Sequence, residues 1–392
     1  MLTLPPGEGV LAHQHLLGAI DDGVIDAESA VPAANVQPAS IDLRLGPVAY
    51  PVRCSFLPDT DPVERKLAWH KIAELDLRGD GAILEVKRPY LIPLQERLAL
   101  PPAVRAKANP KSSTGRADVF TRVISDYSDR FDEVAAGYQG PLYLEVVPLS
   151  FPIRVREDLA LNQLRLSVGQ TALSDGEVRR FHADVHPLLY KDGRPVDPDR
   201  LMLAGGLFLG LDLRGDKDRR VGYRAKEHAP LLDLSSTTQD PKRFWEPVER
   251  EDGNRIVLIP QRFYLLMSNE AVAIPPQLAS EMTAYDPTSG ELRTHYAGFF
   301  DPGFGYDPAG THSGSRAALE VRAHDVPFMI EHGQRVCKLT FDRMLAAPDQ
   351  LYGDAMGSNY QRQDETLSKH FVKPRRRARP GSEQPELLEV DG

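Results

Sequence analysis

The sequence predicts a mainly β protein with few short helices, and three observations carry that prediction. Pro (33) and Gly (30) are abundant in 392 residues, which favours strands and turns over long helices. Apolar residues fall in short stretches cut by turn residues, as in an all-β sandwich or barrel. One such stretch also occurs twice: 83–102 lies on 257–276 at an offset of 174, matching Arg88 with Arg262, Tyr90 with Tyr264, Glu96 with Glu270 and Pro101-Pro102 with Pro275-Pro276. Upstream, Ile41-Asp-Leu-Arg44 matches Leu211-Asp-Leu-Arg214, and downstream Leu144-Glu-Val146 matches Leu319-Glu-Val321. The chain therefore reads as a tandem duplication, 1–185 and 186–345, followed by a tail, 346–392.

In chain order, Val10, Leu11, Leu16, Leu17 and Ile20 follow helical spacing and stop near Gly23, predicting one early helix. Ser150–Arg156 and Val326–Ile330 read as strands, with Gly137, Gly140, Gly303, Gly305 and Gly333 at bends. Lys373–Arg379 and the Pro-Gly-Ser-Glu-Gln-Pro after it lack apolar periodicity and read as a solvated basic end. A hydrophobic share of 41% and a charged share of 26% fit a soluble globular chain. No stretch approaches the roughly 18 apolar residues of a membrane span. The start shows no positive region followed by an apolar run, so no signal peptide is expected. Two distant cysteines, Cys54 and Cys337, suggest a reducing, cytoplasmic setting and no structural zinc. A net charge of −9 argues against generic nucleic-acid binding.

Two motifs carry chemistry. Asn109-Pro-Lys-Ser-Ser-Thr-Gly-Arg116 gathers two cations, adjacent hydroxyls and a glycine, a composition suited to phosphate or to a polar turn. It is not a P-loop, since Pro110 stands where glycine is needed. Glu145 and Glu320 sit inside apolar runs, Leu-Tyr-Leu-Glu-Val-Val and Ala-Ala-Leu-Glu-Val. A carboxylate there either points outward or is buried with a raised pKa that suits a general base. The H-x-E with P-C-x-x-C of zinc deaminases, the H-E-x-x-H pair and the G-x-S-x-G elbow are all missing.

Gln37-Pro-Ala-Ser-Ile-Asp-Leu-Arg-Leu-Gly46, Lys111–Arg116, Ala297-Gly-Phe-Phe-Asp-Pro-Gly-Phe304 and the Leu-Glu strands together resemble the dCTP deaminase family, within the trimeric dUTPase-like fold. The likeness runs over about 40 to 345 in two copies and into Tyr352–Gln363. It implies two tandem dUTPase-like distorted β-barrel (jelly-roll) repeats and hydrolysis of dCTP to dUTP and ammonia without a transition metal. Mg²⁺ would accompany the triphosphate, no cofactor would be tightly bound, and the chain would form a homo-oligomer. The resemblance also implies roles: Lys111, Ser112, Ser113 and Arg116 hold the triphosphate, with Ser112 and Arg116 orienting the attacking water. Glu320 is the proton carrier, with Glu145 as the alternate base. Ala297, Asp301 and Leu319 contact the nucleoside, while Tyr352 and Gln363 close over the phosphates. Rival readings are a dUTP diphosphatase, a bifunctional enzyme releasing dUMP and pyrophosphate, and a non-catalytic nucleotide sensor.

The chain departs from the family where Lys111 replaces an arginine, where Asn359 replaces a lysine, and in an extra stretch around Tyr306–Ser313. The halves also complement each other. The first keeps the phosphate cluster but has Ser128–Gly137 in place of an Asp-Pro-Gly turn. The second keeps Asp301-Pro-Gly303, while its phosphate position, Thr283–Ser289, has no cation and contains Asp286. One composite site is therefore expected: Lys111, Ser112, Ser113 and Arg116 facing Ala297, Asp301 and Glu320.

Overall fold

Why the chain pairs as it does is plainest in its longest strands. Tyr90–Ala99 alternates buried with less buried residues, the pattern of a strand with one face on a core. It pairs with Gln139–Pro148, placing Leu91 opposite Glu145. In the second half Phe263–Val272 pairs with Ser315–Ala323, placing Leu265 opposite Glu320. Even a local contact recurs: the Glu85 N–H donates to the Tyr90 hydroxyl at 2.9 Å, and the Ile259 N–H to the Tyr264 hydroxyl at 3.0 Å. The extra stretch around Tyr306–Ser313 thus leaves the register of Glu320 unchanged.

This is a computed structural model; it describes residues 3–284, 292–294, 298–353, 356–361, 363 and 365–372. The fold is mainly β with short helices. In the first half, strands Gly9–Val10, Ala160–Val168, Val104–Pro110 and Glu133–Val134 form one sheet, with Ile41–Arg44 also on Ala160–Val168. A second sheet holds Tyr90–Ala99, Gln139–Pro148 and Val119–Ser125. The second half has a sheet with Leu207–Gly210, Arg335–Arg343, Leu278–Ala284 and Gly298–Phe300 in that order, and another built on Phe263–Val272.

One upstream match is corrected by the pairing. Ile41 lies opposite Leu164, which in turn lies opposite Ala108. The corresponding ladder in the second half sets Leu207 opposite Leu339 and Leu339 opposite Met282. The counterpart of Ile41–Arg44 is therefore Leu207–Gly210, not Leu211–Arg214. An even shift along a strand keeps every side chain on its face, so alternation alone does not fix this register.

The early helix is His13–Asp21, after a short strand at Gly9–Val10, and Gly23 follows it with φ 68°. Three α-helices among the described residues lie outside the predicted set: Val63–His70, Asp175–Asp184 and the one-turn Ser112–Gly115. At the start of Val63–His70 the Val63 N–H donates to Asp126 Oδ1 at 2.8 Å, a partner from outside the helix. Asp175–Asp184 carries a capping box in which Ser174 and Glu177 each accept the other's backbone N–H. The predicted strands shorten to Ile153–Val155 and Phe328–Glu331.

The two halves share their interior. Ile153–Val155 runs parallel to Leu232–Asp233 of the second half. Phe151 meets Phe244 and Trp245 edge-on at 5.5 and 5.3 Å, and Phe371 closes on the same rings at 5.3 and 6.0 Å. A separate core of the second half buries Leu207, Leu209, Leu266, Leu319 and Val321, together with Val178 of the 175–184 helix. The basic stretch Lys373–Arg379, Asp286 and Ala297 lie outside the described residues.

Candidate active site

The phosphate-type cluster follows a strand end. Pro110 closes Val104–Pro110, and the chain then turns into a single short helix, Ser112–Gly115. The Lys111 N–H and the Thr114 hydroxyl both donate to the Leu161 carbonyl, at 3.0 and 2.8 Å, fixing the turn to the neighbouring strand. Arg116 is buried; its Nε donates to Ser112 Oγ at 3.1 Å and its guanidinium lies 3.8 Å from the Tyr360 ring centre. The Lys111 ammonium pairs with Asp42, a carboxylate buried on Ile41–Arg44 whose Oδ1 has no hydrogen-bond partner among the described residues. Burial raises the Asp42 pKa, and Lys111 opposes that rise.

Glu320 comes from the other half. On Ser315–Ala323 the side chains alternate: Ala317, Leu319 and Val321 enter the second core, and Ala318 and Glu320 face the turn. The meeting is close enough to require a glycine, since a Cβ on Gly115 would stand 2.6 Å from both Glu320 carboxylate oxygens. The Glu320 side chain is half-buried, borders the cavity described below, and accepts no hydrogen bond among the described residues. Burial pushes its pKa up to about 8, with Arg116 pulling it down and Asp118 raising it further. Asp118 is itself fully buried and bonded by Arg322, at 2.5 Å, and by Ser150.

The Asp-Pro-Gly turn ties the halves together. Asp301 is buried and accepts from Arg165 Nη2 at 2.8 Å and from Ser40 Oγ at 3.1 Å, both first-half residues. Arg165 also donates to the Ser280 carbonyl at 3.2 Å and stacks 3.9 Å from the Phe299 ring. Gly303 has φ 104°, and a Cβ there would reach the Tyr352 backbone at 2.6 Å. The closing segment is thereby seated on the turn. Gln361 bonds the Gly303 carbonyl at 3.0 Å and the Gly305 N–H at 2.9 Å. Tyr352 accepts the Tyr360 N–H at 3.2 Å, and Gln363 donates to the Arg316 carbonyl at 2.8 Å.

These pieces line one cavity of about 460 Å³, within the ~300–1,000 Å³ of small-molecule sites. Lys111, Ser112, Ser113, Arg116, Asp301, Glu320, Tyr352 and Gln363 all border it, so the halves meet within a single chain. Two expected residues stand elsewhere. The Leu319 side chain is fully buried in the second core, because strand alternation turns it away from its neighbour Glu320. Glu145 is buried outside the cavity, accepting from Ser55 Oγ at 2.6 Å and Arg122 Nη2 at 2.9 Å. Arg122 is in turn sandwiched by Phe131 and Phe120 at 3.6 and 4.8 Å. Sequence reasoning missed Ser40, Asp42, Arg165, Tyr360 and Lys369. A charge between apolar neighbours, as in Leu164-Arg165-Leu166 and Ile41-Asp42-Leu43, was the available signal for two of them. Among the described residues no group of three or more His, Cys, Asp or Glu lies together as a metal cage would need.

The family of 2′-deoxycytidine 5′-triphosphate deaminases is described by an N-terminal and a C-terminal domain model, and both match, at residues 7–170 and 177–371. The chain belongs to the dCTP deaminase family. A solved dCTP deaminase from Agrobacterium tumefaciens is 43% identical, with a TM-score of 0.80, covering 88% of this chain and all of that one. Among curated dCTP deaminases, the "dUMP-forming" enzyme of Halobacterium salinarum is 32% identical over 118 residues, which is 29% of this chain and 55% of that protein. The dUMP-forming enzyme of Nocardioides is 28% identical over 172 residues, 43% and 81% of the two chains. That of Haloarcula marismortui, named dCTP deaminase, is 29% identical over 153 residues, 37% and 73%. Members of the dCTP deaminase family act on the amino group of a cytosine nucleotide; no helix among the described residues is long and apolar enough to cross a membrane.

Proposed function

We propose that the protein deaminates dCTP to dUTP and ammonia. The observation that carries this reading is Glu320: a half-buried carboxyl with no hydrogen-bond partner among the described residues, held against the Lys111–Arg116 turn, with its pKa pushed up to about 8. A base of that kind accepts and returns protons at working pH. Glu320 takes a proton from water, the resulting hydroxide adds at C4 of the cytosine, and Glu320 returns a proton to the departing amino group. Ser112 and Arg116, joined by their own hydrogen bond, orient the water. Lys111, Ser113 and Arg116 hold the triphosphate; Tyr352 and Gln363 cover it.

In this reading the halves are repeats of one dUTPase-like barrel whose sites decayed in complementary ways, leaving one composite site per chain. Supporting it, Glu145 is held by Arg122 and Ser55, while Glu320 has no such partner among the described residues. Mg²⁺ would come with the triphosphate and neutralise its charge, and no residue of the chain is assigned as its ligand. Homo-oligomerisation, as the dUTPase-like fold suggests, and a cytoplasmic setting complete the proposal.

A second reading is favoured by the names of matched relatives, dUMP-forming in Halobacterium salinarum and Nocardioides. Against it stands Asp301, the carboxylate a phosphorus-directed water would need, which is already engaged by Arg165 and Ser40. Incubation with dCTP, resolving dUTP, dUMP, pyrophosphate and ammonia, separates the two. We expect ammonia and dUTP in equal amounts, unchanged by a zinc chelator at saturating Mg²⁺. Pyrophosphate released in step with ammonia would establish the dUMP-forming reaction instead, and nucleotide binding without any product would leave a sensor.

A further inference from the structure

We infer that Lys369 is a third phosphate-binding cation of this site, supplied by the closing segment rather than by the Lys111–Arg116 turn. The inference rests on the dCTP reading and deepens it by naming a residue that no motif of the sequence marks. Asn359 borders the cavity with an uncharged side chain, and Arg362, the cation of the Tyr352–Gln363 stretch, lies outside the described residues. Lys369 borders the same cavity from further along the chain.

The backbone around Lys369 is pinned on every side. The Thr366 carbonyl accepts from Arg116 Nη1 at 3.3 Å, and the Ser368 hydroxyl donates to the Ser113 carbonyl at 3.0 Å. The Gln239 N–H donates to the His370 carbonyl at 3.2 Å, and Phe371 is buried among Phe244 and Trp245. The Lys369 N–H itself donates to the hydroxyl of Tyr360, whose ring carries the Arg116 guanidinium. The segment is thus bolted to the two residues, Ser113 and Arg116, that hold phosphate in the proposed function. Lys369 is exposed to solvent on one side and borders the cavity on the other.

Charge balance gives the position its meaning. Lys111 and Lys369 both interact with one carboxylate, Asp42, which already pairs with Lys111. Loss of hydration at the cavity and the repulsion of Lys111 lower the Lys369 pKa, an excess of positive charge that Asp42 offsets only in part. A polyanion between them relieves that excess, and a lysine, a compact charge with three rotatable donors, suits the terminal oxygens of a flexible phosphate chain. Because the same segment carries Tyr360, phosphate binding by Lys369 also draws the cover onto Arg116.

The test uses the full chain and the variants Lys369→Gln and Lys369→Arg. Two quantities are measured: kcat and KM for dCTP, and the dissociation constant of inorganic tripolyphosphate by calorimetry. Loss of one charge-assisted contact is expected to raise both KM and the tripolyphosphate constant roughly tenfold in Lys369→Gln, with kcat within about twofold. Lys369→Arg is expected to restore both. Unchanged constants in Lys369→Gln overturn the inference. So does equal impairment of Lys369→Arg, which would mean that the position serves packing. A wild-type protein that binds tripolyphosphate through Lys369 but leaves dCTP intact would refute the deaminase reading and keep the phosphate site. Turnover of dCTP that ignores Lys369 would do the reverse.

Discussion

Glu320 combines two properties that elsewhere in a protein would be a defect: its carboxyl is drawn out of water, and among the described residues nothing donates a hydrogen bond to it. The sign of its effect on stability follows from its pKa, ordinarily 4.5 and here about 8. The folded state holds the proton more tightly than the unfolded one, so stability is lost as pH rises from about 4.5 to about 8. Glu320→Gln removes that loss. Its melting temperature should match the wild type near pH 4.5 and exceed it by a few degrees at pH 8 and above, while turnover falls by ~10²–10⁴-fold and dCTP binding persists. Calorimetric melting across pH, beside steady-state rates, checks both halves of this trade. The wild-type kcat/KM should climb with pH and level off above about 8, as Glu320 ionises. Gly115 offers a second test at this scale. Gly115→Ala meets only the end of a flexible side chain, so the protein should fold normally. The displaced carboxylate should nevertheless cost about tenfold or more in kcat, since misplacement of a catalytic group is expensive.

Among the strands, one register carries two different fates. Leu91–Glu145 and Leu265–Glu320 are the same position of the same ladder. What separates them is the partner: Arg122 and Ser55 neutralise and bond Glu145. Glu145→Gln should therefore leave turnover and dCTP binding unchanged and cost about 1.5–3 kcal/mol of stability, the worth of hydrogen bonds to a charged group. A urea titration of the variant measures the cost, and a dead Glu145→Gln beside an active Glu320→Gln would place the chemistry in the first half. The two Leu-Glu strands and the Asp-Pro-Gly turn were legible in sequence because alternation and turn chemistry are local. Ser174-x-x-Glu177 was an equally local signal for the helix it caps, and it went unread. The helix Val63–His70 had no such signal, because its cap, Asp126, arrives from a distant strand end.

For the molecule as a whole, the Arg165–Asp301 pair is a buried ion pair that joins the two halves beside the cavity. Both side chains are buried, one from each half, and each is needed to satisfy the other. Removing one partner of a buried pair leaves a bare charge, at a cost of about 3–5 kcal/mol. Arg165→Met should lose about that much in a urea titration and lower kcat/KM as well, since Asp301 seats the turn that carries Tyr352. A variant with full stability and normal kinetics would show that the halves are held together elsewhere.

The sequence by itself determined the β character, the recurring strand pattern and the residues of the Lys111–Arg116 and Asp301-Pro-Gly303 turns. Each of these is written in period, spacing or residue type over short stretches. Tertiary structure alone decided that the retained parts meet inside one chain and that Glu320, not Glu145, faces the cavity. It also aligned Leu207–Gly210, rather than Leu211–Arg214, with Ile41–Arg44. A strand shifted by an even number of residues keeps its apolar face, so register is settled by the partner strand and not by the pattern. Likewise a carboxyl's protonation is set by which cations and how much protein surround it, and those neighbours come from parts of the chain far removed in sequence.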